Sequence, residues 1–272
     1  MQNFSISPRE MAASVWRNRS LIRVLVKREV LGRYRGSALG ILWSFFNPVF
    51  MLAVYTFVFS VVFKARWSTG SDSKTEFALV LFAGLLIFNL FSECISRAPG
   101  LILANVNYVK KVIFPLEILP WVSLGSALFH TLISFFVWLL FYLIFFGVPY
   151  FTLLLFPVVL IPLILFTIGI SWLLAALGVY LRDVSQLINM VVTILMFLSP
   201  IFYPVSSLPE KYQLIIQLNP LTLVIEQARD VLMWGNFINP FVFVIYIVVS
   251  SVVAWLGFVW FQKTRKGFAD VL

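Results

Sequence analysis

Charge is what this chain has least of. Only 11% of its 272 residues are Asp, Glu, Lys or Arg, and 61% are hydrophobic; an ordinary soluble domain carries about a quarter charged residues. That balance excludes a soluble globular fold and leaves an integral membrane protein. The apolar residues fall in repeated stretches of the roughly 20 that a spanning helix needs. Cysteine and histidine occur once each, as Cys94 and His130. No intrachain disulfide can form, no Cys/His cluster suggests a metal site, and Cys94 reads as a packing residue. The sequence has no GxxxxGK(S/T) phosphate loop, no HExxH, and no paired carboxylates inside its apolar stretches. Those absences leave no site for a nucleotide, a peptidase zinc, glycosyl transfer or proton coupling. The chain is therefore expected to be no enzyme, with no catalytic residue and no cofactor of its own. A transporter so equipped needs a separate ATPase on its cytosolic face, and ATP and Mg belong to that partner. Met1 to Arg19 is polar, so no cleavable signal is expected.

The formal charge of +9 could suggest nucleic acid, but that requires a basic face on a soluble fold. Here the charges sit in short connections and set topology, with membrane lipids as the surroundings and no nucleic-acid partner. Six spans are predicted near Ala38 to Phe63, Phe77 to Ser96, Ile118 to Phe146, Thr152 to Leu181, Leu187 to Tyr203 and Ile238 to Phe261. Residues 1–37 form a tail and interface helix; residues 38–272 form a single transmembrane domain. Lysine and arginine number eight before the first span, three between the second and third, one between the fourth and fifth, and three at the C-terminus. The opposite side holds three and two. The positive-inside rule then places both termini in the cytosol.

The stretch VKREVLGRYRGSALGILWSFFNPV, Val26 to Val49, is where the chain changes solvent. Lys27, Arg28, Arg33 and Arg35 precede an apolar run, joining an anion-attracting surface to a membrane entry point. Arg19, Arg23 and Lys27 make a basic stripe at spacing four, opposite Leu21, Val24, Leu25 and Leu31. Either an amphipathic helix lying in the interfacial plane or a solvated basic face fits that pattern. Gly32, Gly36 and Gly40 favour a flexible or tightly turned junction. Between the second and third spans, at 98–116, Pro99 and Gly100 break the helix, and a short amphipathic helix can follow. Tyr108, Lys110 and Lys111 are then contacts for a partner, or anchors at the headgroups. Between the fifth and sixth spans, at 206–236, the chain is too apolar for a free loop and its pieces are too short to span. Two short re-entrant helices split at Asn219 and Pro220 are predicted. Glu226, Arg229 and Asp230 share helical spacing there and face a cavity or form a surface ion pair.

Asn89, Glu93 and Arg97, four apart, give the second span one polar face and a Glu93–Arg97 pair. His130 stands alone in sequence, as a hydrogen-bonded packing residue or a proton relay. Aromatics crowd the first span, with Trp43, Tyr55 and Phe59, and the end of the fifth, with Phe197, Phe202 and Tyr203. They face lipid or wall a pathway along which sugar rings slide.

The segments RYRGSALGILWSFFNP, FPLEILP, LRDVSQL, LSPIFYPVSSLP and NPLTLVIEQARDVL, in this order along nearly the whole chain, resemble the membrane subunit of bacterial polysaccharide exporters. This is the type-2 ABC permease group that includes the O-antigen permease Wzm and its teichoic acid and capsule relatives. The resemblance implies an all-α polytopic protein of the bacterial inner membrane, with six transmembrane helices, an N-terminal amphipathic interface helix and two short re-entrant periplasmic helices. It implies a homodimer with two copies of a cytosolic ABC ATPase, exporting a lipid-linked polysaccharide such as O-antigen on undecaprenyl diphosphate, or a capsule or teichoic acid. By that likeness Arg23, Lys27, Arg28, Tyr108, Lys110 and Lys111 meet the ATPase, and Arg33 and Arg35 meet the carrier diphosphate. Trp43, Tyr55, Phe59, Phe197, Phe202 and Tyr203 line the glycan channel; Glu226, Arg229 and Asp230 belong to the periplasmic gate. An ion-coupled secondary carrier and a membrane-embedded glycan-processing enzyme are the readings from other classes; the first lacks intramembrane ionisable groups beyond His130 and Glu93.

Overall fold

In the computed structural model, which describes residues 5–62, 67, 74–110 and 114–272, every regular element is helical. Two short helices lead in, α1 (Pro8–Arg17) and α2 (Arg19–Arg33). Ser7 caps α1 by accepting from the Glu10 amide at 3.1 Å, in a Ser-x-x-Glu start. Then come α3 (Trp43–Tyr55), which runs on as a π-helix through Thr56–Val62, and α4 (Lys74–Arg97). A five-residue α5 (Val106–Lys110) stands where the amphipathic connection was expected. The long helices α6 (Leu119–Phe146) and α7 (Phe156–Tyr180) follow, then α8 (Val184–Leu198). The short pair α9 (Glu210–Gln217) and α10 (Pro220–Arg229) precede α11 (Pro240–Thr264) and the terminal turn α12 (Phe268–Val271).

Among the described residues, five helical stretches are long and apolar enough to cross a membrane: Gly40–Phe59, Thr75–Gly100, Leu116–Phe146, Phe151–Tyr180 and Pro240–Val271. They correspond to five of the six predicted spans. The stretch predicted as Leu187 to Tyr203 is α8, 15 residues long, or about 22 Å against a hydrocarbon core of about 30 Å. It stops at Leu198 because Pro200 disfavours helical backbone in the residue before it, and Ser199 is extended (ψ 147°). The break between α9 and α10 falls at Asn219, whose side chain caps α10 by accepting from the Leu221 amide at 3.0 Å.

Helix α4 is the central post, buried along most of its length. Helices α7 and α11 pack backbone to backbone: a Cβ on Gly257 would stand 2.0 Å from the Gly169 carbonyl oxygen. Both chain ends gather at one pole. There the Ser14 hydroxyl donates to Glu117 at 2.9 Å, Arg265 donates to the same carboxylate at 2.7 Å, and Trp255 donates to the Ile6 carbonyl at 3.1 Å. Leu25 of α2 is buried with Ile118 and Val122 at the start of α6, and Leu21, Ile22 and Val26 pack against them. Arg19, Arg23 and Lys27 are left exposed on the other side. Of the four apolar residues read on one side of α2, Leu21 and Leu25 thus have a protein partner, while Val24 and Leu31 are exposed.

Candidate functional site

The site is built where α2 meets α3. Helix α2 ends at Arg33; Gly36 (φ +87°) and Gly40 (φ +51°) then take backbone conformations that side-chain-bearing residues rarely adopt. Nine residues, 34–42, join α2 to α3, the last three as a 3-10 turn, so Gly36 and Gly40 mark a turned junction while Gly32 lies within α2. The turn directs Arg33 and Tyr34 against α4 and α6. Arg33 Nη2 pairs with Glu93 Oε1, and its Nη1 lies 3.0 Å from His130 Nδ1. Tyr34 Oη is 3.0 Å from His130 Nε2. Glu93 Oε1 is also 3.6 Å from both His130 Nδ1 and Arg97 Nη1, and Arg97 pairs with Glu29 of α2. The pair read from spacing, Glu93–Arg97, is present, and His130 is one corner of a six-residue network.

Below this network a cleft of about 310 Å³ opens between α3, α4 and α6. Asn47, Asn89, Ser92, Thr131 and Ser134 line it beside Tyr55, Met51 and Phe82. Polar side chains on membrane-length helices are expensive against hydrocarbon and are kept where they face water, protein or a ligand. Pro48 is also in the wall; its missing N–H removes the helical donor for the Ser44 carbonyl.

At the same pole, two residues predicted to meet a partner are joined: Arg28 Nη1 donates to Tyr108 Oη at 3.0 Å, and the Tyr108 ring stacks on Phe114 at 4.2 Å. Lys110 donates to the backbone carbonyl of Leu272. Arg23 and Lys27 border a shallow apolar groove with Ile22, Val26 and Phe129; Lys111 lies outside the described residues. The sequence reading missed Glu117, which holds three distant parts together. Besides Ser14 and Arg265 on its carboxylate, its carbonyl accepts from Trp172 Nε1 at 2.9 Å, and Arg265 also donates to the Phe114 carbonyl at 3.0 Å. The one available signal was its isolation, as the sole acid between Glu93 and Asp183.

Four of the six aromatic candidates form one cluster. Tyr55 lies 6.4 Å from Phe59, Phe59 stacks on Phe202 at 5.2 Å, and Phe197 is 6.0 Å from Phe202. Tyr203 joins through its hydroxyl, which donates to the Phe197 carbonyl at 3.2 Å. Trp43 stands at the opposite end of α3, about 18 Å from Tyr55 along the axis.

At the far pole, Arg229 is 3% exposed. It donates to three carbonyls, Val80 (3.1 Å), Pro200 (2.6 Å) and Ile201 (2.8 Å), and lies 4.2 Å from the Trp67 ring. Spacing suggested a charge cluster; the guanidinium instead ties α10 to α4 and to the turn after α8. Burial pushes it down to about 9, against the pull of Glu226, and it stays charged at neutral pH. Glu226 and Asp230 border a cavity of about 330 Å³ with Trp67 and Trp234. Burial pushes the Glu226 carboxyl above the usual range; Arg229 counters this and Asp230 adds to it.

A sequence model of the family described as "ABC-2 type transporter" matches residues 20–233. The chain is similar to an O-antigen export system permease protein RfbA of Klebsiella pneumoniae, 25% identical over 253 residues that cover 93% of this chain and 95% of that protein. It is 28% identical over 262 residues to the Myxococcus xanthus protein of the same name, covering 96% and 98%. The polysialic acid transport protein KpsM of Escherichia coli is 26% identical over 252 residues, covering 90% and 93%.

Proposed function

The chain belongs to the ABC-2 type transporter family, and from that premise we propose that it is the membrane subunit of an ATP-driven exporter of a lipid-linked polysaccharide. O-antigen on an undecaprenyl diphosphate carrier is the substrate favoured by the near full-length similarity to two export permeases named for it; a capsule polymer is the second reading, favoured by the similarity to KpsM. The protein works as a homodimer in the bacterial inner membrane, with both termini in the cytosol and α8 as a sixth crossing. Two copies of a separate ATPase, which carry ATP and Mg, dock on the pole formed by α2 and α5. Arg23, Lys27, Arg28, Tyr108, Lys110 and Lys111 are the contacts there.

The observation that carries this reading is the α2–α3 junction, where Arg33 stands at the mouth of a polar cleft among apolar helices. Arg35 is exposed and pairs with no carboxylate among the described residues, while Arg33 is held by Glu93. At the cytosolic headgroup level each basic side chain contributes about 1 kcal/mol of attraction to an anionic surface, so Arg33 and Arg35 draw the carrier diphosphate. ATP binding to the partner shifts α2 and α5, and through them the dimer interface, toward an open pathway. It does so only to the extent that the ATPase binds the two states with different affinity. The glycan then passes the ring cluster Tyr55, Phe59, Phe197, Phe202 and Tyr203, with Trp43 nearer its entrance. The pair α9–α10, with Glu226, Arg229 and Asp230, closes the periplasmic end. Replacing both Arg33 and Arg35 by Ala is expected to abolish surface glycan while the ATPase still co-purifies. Normal surface glycan in the double variant would refute the role of these arginines.

A further inference from the structure

We infer that the cleft beneath Arg33 is a sugar subsite, which holds the first ring attached to the carrier diphosphate and makes the permease distinguish a loaded carrier from a bare one. This rests on the exporter reading and adds to it a second recognition element, one helical turn deeper than the arginines.

The polar groups are graded along the helices. On α4 the series runs from Arg97 and Glu93 through Asn89 to Leu86, Leu85 and Phe82, each step about one turn. On α6 it runs from His130 to Ser134, and on α3 from Asn47 to Met51 and Tyr55. A ligand lying along these helices meets charge first, then amides and hydroxyls, then an aromatic face. That sequence of chemistries matches a phosphate followed by a pyranose, whose ring edge donates and accepts hydrogen bonds and whose flat face packs on an aromatic ring.

The amide and hydroxyl layer is also unsatisfied by the protein. The side chains of Asn47, Asn89 and Ser134 make no hydrogen bond among the described residues. Ser92 donates to its own helix, to the Asn89 carbonyl at 3.2 Å, which leaves its lone pairs open. Each amide offers two donors and an acceptor. A free phosphate uses only the donors, and a lipid tail uses neither and would impose the full cost of unpaired polar groups. The cavity of about 310 Å³ is about ten times the share of a liquid water molecule, room for a hexose with little to spare.

The test uses the complete permease–ATPase complex in lipid nanodiscs and reads ATP hydrolysis against the concentration of added lipid. The probes are bare undecaprenyl diphosphate, undecaprenyl diphosphate carrying one glucose or one N-acetylglucosamine, and phosphatidylglycerol. Wild type is expected to respond half-maximally to at least one sugar-bearing lipid at about tenfold lower concentration than to the bare diphosphate, the equivalent of one to two net hydrogen bonds. Asn47→Ala with Asn89→Ala should erase that ratio and leave the response to the bare diphosphate in place. Ser134→Ala, which removes a single oxygen, should reduce the ratio about threefold. Equal potency of all the diphosphate lipids on wild type, or an unchanged ratio in both variants, overturns the subsite while leaving the diphosphate role standing. A response to phosphatidylglycerol equal to the rest, or none to any lipid, refutes the exporter reading and the subsite with it.

Discussion

Arg229→Met is the substitution whose cost the structure defines most closely. Methionine keeps the length and apolar body of the stem and removes three donors. The Val80 carbonyl lies inside α4, where the Gly84 amide four residues on serves it. Pro200 and Ile201 lie in a turn, and among the described residues no other group donates to their carbonyls. Each orphaned buried carbonyl costs about 1–3 kcal/mol, so the loss is about 2–6 kcal/mol. Removing the cation also relieves its own desolvation, the effect that pushes its pKa down, which brings the expected net to about 2–4 kcal/mol.

The assay is a thermal melt of the purified protein in nanodiscs, paired with hydrogen exchange at the turn after α8. At about 2–4 °C per kcal/mol for a chain of this size, Arg229→Met should melt about 5–15 °C below wild type. The Ile201 amide region should lose protection first. Arg229→Lys, with one compact ammonium in place of a three-way fork, should fall between the two. Arg17→Ala, at an exposed pair with Glu10, should leave the midpoint within a degree, as surface pairs contribute little. A methionine variant that melts with wild type would refute the view of Arg229 as the clamp of the far pole, and a lysine variant equal to arginine would refute the geometric part of it.

Glu226 gives a pH signature. Its folded carboxyl is raised by burial, so the folded state holds its proton to higher pH than the unfolded state does. Stability therefore falls as pH rises from the unfolded carboxylate value of about 4.3 through the folded one, and stays lowered above it. Glu226→Gln is expected to melt higher than wild type at pH 7 and alongside it at pH 4; a gain equal at both values would show that charge burial is not the cause. Gly257→Ala drives a methyl into the Gly169 backbone, which cannot move aside as a side chain can. It should lower the midpoint by the equivalent of about 1–3 kcal/mol, whereas Gly32→Ala, with open space around it, should have no such effect. Equal melts for the two alanine variants would sink the close-packing argument for α7 and α11.

Local pattern carried the sequence reading as far as local pattern goes. The five long apolar stretches, the break at Asn219, the turn at Gly36 and Gly40 and the Glu93–Arg97 pair all rest on residues within a few positions of each other. What was not legible depends on contacts across the chain: Arg33 with Glu93 and His130, Arg28 with Tyr108, Glu117 with Ser14 and Arg265. Arg229 misled for a related reason. Its neighbours at helical spacing are acids, but the turn after α8 contains Pro200 and Pro204. A proline-rich turn is poor in N–H donors, and the guanidinium supplies donors to it instead of pairing with the acids.

The junction arginines show what such long-range contacts change. From the sequence, Arg33 is a free cation awaiting an anion; in the fold it already holds Glu93. On the exporter reading a diphosphate must displace that carboxylate, and at Arg33 alone the exchange is close to even. Arginine to carboxylate and arginine to phosphate are both charge-assisted bonds, each contributing about 1.5–3 kcal/mol. Glu93 is not stranded by the exchange, because Arg97 stands 3.6 Å from the same oxygen. With the carboxylate retained by Arg97, Arg33 is free to turn toward the cleft mouth, with the exposed Arg35 two residues on in the chain and Asn89 one turn below Glu93 on α4. The acid that occupies the guanidinium is what holds Arg33 in position for the anion the exporter reading assigns to it.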